Sequence, residues 1–65
     1  MKYIIINLED MSIVRWFGNE QEAREVLYGL RKTRYMREHP DRPVWEYDTI
    51  KTDNGYNLYK VKLTA

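Results

Sequence analysis

Few residues in this 65-residue chain could carry covalent or acid–base chemistry. The one histidine, His39, lies in Arg37-Glu38-His39-Pro40-Asp41-Arg42-Pro43. Glu38, His39 and Asp41 together suggest a metal or proton-transfer cluster. Adjacent positions point different ways, however, and there is no second histidine to complete a metal site. A histidine that closes a helix and is stabilised by the dipole there is the plainer account. Ser12 is the single serine, and no base that could activate a nucleophile lies near it in sequence. Glu46 and Asp48 alternate along a run that reads as a strand, roughly 7 Å apart on one face. That spacing could suit a hydrolytic carboxylate pair, but the lysines expected opposite them favour ion pairing. Gly18, Gly29 and Gly55 stand alone, so there is no Gly-rich phosphate loop. The chain has no cysteine, which excludes disulfides and thiolate metal sites. The expectation is a non-enzymatic protein with no catalytic residue, metal or cofactor.

Binding chemistry is better represented. Arg24, Tyr28, Arg31 and Tyr35 recur at i+4, i+7 and i+11, with Lys32 beside them. Arginine and tyrosine are enriched at binding hot spots, so this helix face is the expected partner-binding site. The same groups could hold nucleic acid, with arginine and lysine on phosphates and tyrosine stacking on bases. Residues 31–42 carry five basic residues, Arg31, Lys32, Arg34, Arg37 and Arg42, against Glu38 and Asp41. The whole chain is only +1, from 11 basic and 10 acidic residues. Nucleic-acid modules show a stronger excess, so nucleic acid ranks second to a protein partner.

Several elements must position these groups. Lys2 to Leu8 and Ser12 to Phe17 are short runs rich in β-branched and aromatic residues and read as strands. Glu9-Asp10 is the expected turn of a hairpin pairing Leu8 with Met11, Ile6 with Ile13 and Lys2 with Phe17. Asn19 is an N-cap with Glu22 at the capping-box position. The apolar stripe Ala23, Val26, Leu27 and Leu30 predicts a helix over 20–38. Acidic residues crowd its start and basic ones its end, as the macrodipole favours. Val44 to Thr52 and Tyr56 to Leu63 read as a second hairpin around Asp53-Asn54-Gly55, with Gly55 in a left-handed conformation. That register sets Glu46 opposite Lys62 and Asp48 opposite Lys60. The expected architecture is a single α+β domain, β-β-α-β-β, with two hairpins forming a four-stranded sheet and one helix packed on one face.

One helix covers one face of such a sheet. Ile4, Ile6, Leu8, Ile13 and Phe17 are expected beneath it, with Trp45, Tyr47, Tyr59, Val61 and Leu63. The opposite face would carry Tyr3, Ile5, Val14 and Trp16, joined by Val44, Ile50, Tyr56 and Leu58. A patch of that size marks an interaction surface, and Tyr3, Val14 and Trp16 are the expected self-association residues of a homodimer. No apolar run approaches the ~20 residues needed to span a bilayer, and no signal-peptide pattern is visible, so a cytoplasmic location is expected. Size, the initiating Met1 and the absence of cysteine resemble the short accessory proteins that viruses and mobile elements encode. That resemblance implies a module that binds and inhibits a host protein complex, in the host cytoplasm if the chain is virus-encoded.

Overall fold

The structure, a computed structural model, describes residues 2–62. Its elements run β1 (Lys2–Asn7), β2 (Ser12–Phe17), α1 (Glu20–Glu38), α2 (Val44–Ile50) and β3 (Tyr56–Val61). The three strands form one antiparallel sheet in the order β2-β1-β3. The expected four-stranded sheet with a single helix is therefore corrected to three strands and two helices. The expected strand over 44–52 contains the helix α2. The expected partner Leu63 lies outside the described residues.

Local chemistry accounts for the correction. Pro43 caps α2 at its start, where a missing N–H costs nothing. Glu46 pairs with Arg42 one turn earlier, and the Thr49 hydroxyl donates to the Glu46 carbonyl at 2.8 Å. Lys51 ends the helix in the left-handed region, its N–H donating to the Tyr47 carbonyl at 2.7 Å. Tyr47 is the one buried residue of α2. Alternation sets Val44 and Ile50 on one strand face and Tyr47 on the other, but the three also fall at i, i+3 and i+6 of a helix, and seven residues cannot distinguish the two. With α2 helical, Tyr56–Val61 pairs with β1 instead, from Lys2↔Val61 to Asn7↔Tyr56. Gly55 is left-handed as expected, at φ 75°, but it opens β3 rather than closing a hairpin.

α1 forms over the expected span. Asn19 Oδ1 accepts from the backbone N–H groups of Gln21 (2.8 Å) and Glu22 (3.3 Å). Glu22 turns to Arg15, 3.6 Å away on β2. The i,i+4 pairs Glu20–Arg24 and Arg34–Glu38 both form. Ahead of Pro40, His39 closes the helix, its N–H donating to the Tyr35 carbonyl at 2.9 Å.

The hairpin register begins as expected and then shifts. Ile6↔Ile13 and Asn7↔Ser12 are paired, but a bulge between Ile5 and Ile6 leaves Val14 without an opposite residue and sets Phe17 across from Tyr3 rather than Lys2. One inserted residue exchanges the faces that the two strands share. The core beneath α1 is consequently Ile5, Phe17, Ala23 and Leu27, with Tyr3, Val26, Leu30, Tyr56 and Leu58 packed against it. Ile5 is fully buried, at 0% exposure. Ile4 and Ile6, expected beneath the helix, lie on the opposite face. Tyr3, expected on the open face, lies beneath the helix.

Candidate protein-binding surface

The helix face singled out by its arginines and tyrosines is largely occupied from within the chain. Tyr47, at 2% exposure, inserts its ring against Tyr28, edge-on with centroids 5.4 Å apart, and against Tyr35 at 5.6 Å. Tyr35 is itself buried and stacks on His39 at 4.6 Å. Burial pushes the Tyr47 phenol above its ordinary range. Lys32 lies 5.4 Å over the Tyr28 ring and 3.9 Å from Asp48. Arg24 pairs with Glu20 at 3.1 Å. Arg24 and Tyr28 remain exposed, Lys32 is half-buried, and Arg31 and Tyr35 are structural.

Arg31 joins α1 to β3. Its guanidinium donates to the Tyr56 carbonyl through Nε at 3.1 Å and Nη2 at 2.9 Å, and Nη1 lies 2.9 Å from Asp53. The side chain is only 15% exposed. Arg34 bridges Glu38 (2.9 Å) and Glu9 (3.1 Å). Hydrogen bonds to Glu38 and Glu9 raise the Arg34 pKa, and the same guanidinium holds the Glu38 carboxyl below its ordinary range. Arg15, Arg42 and the other arginines named here are likewise ion-paired, leaving Arg37 as the arginine without such a partner among the described residues.

The candidate catalytic groups do not assemble. The His39 ring packs on Tyr35. The Ser12 hydroxyl donates to Asp10 at 2.6 Å, and this bond with the Ser12 N–H keeps the Asp10 carboxyl below its ordinary range. Glu46 and Asp48, expected opposite Lys62 and Lys60, instead meet Arg42 and Lys32 on the helical layer. Among the described residues, no group of three His, Asp or Glu could hold a metal ion. A shallow depression of about 450 Å³ is lined by Glu20, Gln21, Arg24, Glu25 and Tyr28, all of α1. No helix among the described residues is long and apolar enough to cross a membrane.

Among the described residues, neither helix packs over the other side of the sheet. Strand alternation places Lys2, Ile4 and Ile6 there. Ile4 is flanked by Trp16 on β2 and Tyr59 on β3, each its direct cross-strand partner. These two rings shield Ile4 and are themselves 51% and 41% exposed. Ile13, opposite Ile6, is exposed too, as is Val14 in the bulge. Of the expected self-association residues, Trp16 and Val14 are exposed and Tyr3 is not. Ile4, Ile13 and Tyr59, expected beneath the helix, lie on this open face: the bulge carries Phe17 to the face of Tyr3 and Ile5, and α1 packs there.

Both edges of this sheet are blunted. Leu8 N–H donates to the Gly55 carbonyl at 2.9 Å, which fixes the alternation on β3: the backbone groups of Tyr56, Leu58 and Lys60 point away from β1. Arg31 covers the outward Tyr56 carbonyl. Asn57 Oδ1 accepts from the outward Leu58 N–H at 2.9 Å. On β2, the bulge breaks the other edge.

Comparison with known proteins gives no guide to this surface: no family model matches the chain, and no curated protein or solved structure is significantly similar to it.

Proposed function

We propose that this chain is a small, non-enzymatic protein-binding module whose contact surface is the open face of its sheet. One observation carries the reading. Trp16 stands half-exposed beside Ile4 on an apolar face that includes Ile13 and Tyr59. Large exposed aromatics amid aliphatic neighbours are the usual anchors of protein interfaces. Such a surface offers no group for turnover, so the module acts by occupancy: it covers a surface of another protein, as an inhibitory accessory protein would, or that of a second copy. A homodimer belongs to the same proposal.

The face suits protein better than nucleic acid. A strand-tracking nucleic-acid groove needs cations beside its stacking rings. Among the described residues, Lys2 is the one cation on the strand positions of the open face, at one end of β1. The arginines and tyrosines of α1 on which a nucleic-acid role would depend are mostly engaged by Glu20, Asp53, Tyr47 and β3.

Site-specific photo-crosslinking tests the proposal. A benzophenone side chain at Trp16, introduced in the native host, should give a protein adduct that the same probe at exposed Glu25 does not. The adduct should form again from the two purified proteins. Equal labelling from both positions, or none from Trp16, would overturn the assignment of the open face.

A further inference from the structure

We infer that the occupant of the open face is a second copy of this chain, packed sheet against sheet about a two-fold axis. The inference rests on the open-face reading above and names the partner.

Three observations converge on it. First, the edges do not invite strand addition. On β3 the Tyr56 carbonyl and the Leu58 N–H are already satisfied by Arg31 and Asn57, and on β2 the bulge interrupts the ladder. Association is directed to the face. Second, the middle of the face carries no charge. Ile4, Ile6, Ile13, Trp16 and Tyr59 form it with the uncharged Asn57 opposite Ile6, and Lys2 stands at its end. A twisted apolar sheet is best matched by another of the same twist, stacked about 10 Å away with strands aligned to within about 30°. A second copy supplies that shape, and a two-fold axis makes the patch its own complement.

Third, the area fits a reversible dimer. Taking roughly 150–250 Å² for each aromatic side chain and somewhat less for the aliphatic ones, the exposed parts of Trp16, Tyr59, Ile13 and Val14 sum to roughly 400 Å² per copy. Two copies bury about 800 Å² of apolar side chain, short of the about 1,200 Å² of stable interfaces and in the range of weak, transient ones. The dimer should therefore dissociate in the micromolar range rather than behave as obligate.

Sedimentation of the purified chain between about 1 µM and about 1 mM covers that range. The expected result is a mass that rises from monomer to dimer with concentration. Trp16→Lys and Tyr59→Lys should each weaken the dimer at least tenfold, and Glu25→Lys on the far side of α1 should not. Circular dichroism confirms that the variants are folded. In a Trp45→Phe background, where Trp16 is the one remaining tryptophan, acrylamide quenching should fall as the dimer fills, because Trp16 becomes covered. A monomer at every concentration, or a dimer indifferent to both lysines, overturns the inference. A monomer that still forms the Trp16 adduct with a different protein overturns the second copy while leaving the open-face function standing. Loss of both adduct and dimer overturns both.

Discussion

The guanidinium of Arg31 donates two hydrogen bonds to one carbonyl, that of Tyr56, at 3.1 and 2.9 Å. The acceptor is the first outward-facing carbonyl on the edge of β3. A helix side chain thereby completes the hydrogen bonding of a sheet edge, and Asn57 continues the cover at the next residue. Arg31 thus holds α1 on the sheet and closes an edge that would otherwise be open to pairing.

Arg31→Ala removes both roles. Hydrogen bonds from a charged donor contribute about 1.5–3 kcal/mol each to stability where partly buried. Because the two bonds share one acceptor, the expected loss is about 2 kcal/mol in urea unfolding. Arg31→Lys should recover little of it, since an ammonium cannot reproduce the fork. Asn57→Ala should cost less in stability but uncover the Leu58 N–H, and light scattering of a concentrated solution should rise on standing. A variant as stable and as soluble as wild type would show that the edge needs no such cover.

Tyr47 anchors α2. Tyr47→Ala should release the segment 44–50 with a cost of about 3 kcal/mol, seen as faster hydrogen exchange there while β1 remains protected. Tyr47→Phe isolates the ionisation. Burial raises the folded-state pKa above the ordinary 10.0, so the folded chain holds this proton more tightly than the unfolded chain. The stabilisation is fully present below about pH 10 and is lost as pH rises through the folded value. Tyr47→Phe should match wild type in melting temperature at neutral pH and exceed it in alkali. Parallel pH profiles would mean that the phenol is not held from water.

Two glycines should respond in opposite directions. A Cβ at Gly29, in the middle of α1, would meet nothing within 4 Å. Gly29→Ala should therefore stabilise by about 1 kcal/mol through helix propensity. Gly55 sits at φ +75°, and a Cβ there would run into the Arg34 guanidinium. Gly55→Ala should cost about 1–3 kcal/mol. Thermal unfolding of the pair gives the comparison, and a destabilised Gly29→Ala would indicate that something packs against that turn of the helix.

Met11 occupies the left-handed region at φ 61° in the turn between β1 and β2, where its N–H donates to the Asn7 carbonyl at 2.7 Å. A side chain there costs about 1–2 kcal/mol that glycine avoids. Met11→Gly should raise the melting temperature of the monomer. An unchanged melt would show that the turn relaxes without strain.

α1 was legible because three independent signals coincide: Asn19 as cap, the Ala23–Leu27–Leu30 stripe, and the charge gradient from Glu20 to Arg37. The hairpin and the conformation of Gly55 were legible for similar local reasons. Val44 to Ile50 was not. Seven residues satisfy both periods, and the choice is made by the fit of Tyr47 between Tyr28 and Tyr35, partners distant in sequence. The same contact hides part of the expected binding face, which composition alone could not reveal. On the sheet, one unpaired residue at Val14 was enough to move Tyr3 inward and Ile4 outward, although Trp16 kept its exposed position.

The central position of β1 sets the order in which this molecule can assemble. Its neighbour β2 follows at once, but β3 comes from the far end of the described chain, where Val61 pairs with Lys2. Closing so long a loop is the entropically expensive step, so the hairpin and α1 can form early while the last strand sets the folding rate. Until it docks, Ile4-Ile5-Ile6 presents an apolar strand with one side of its ladder bare. That interval, rather than the finished fold, is when the chain is most exposed to misassociation.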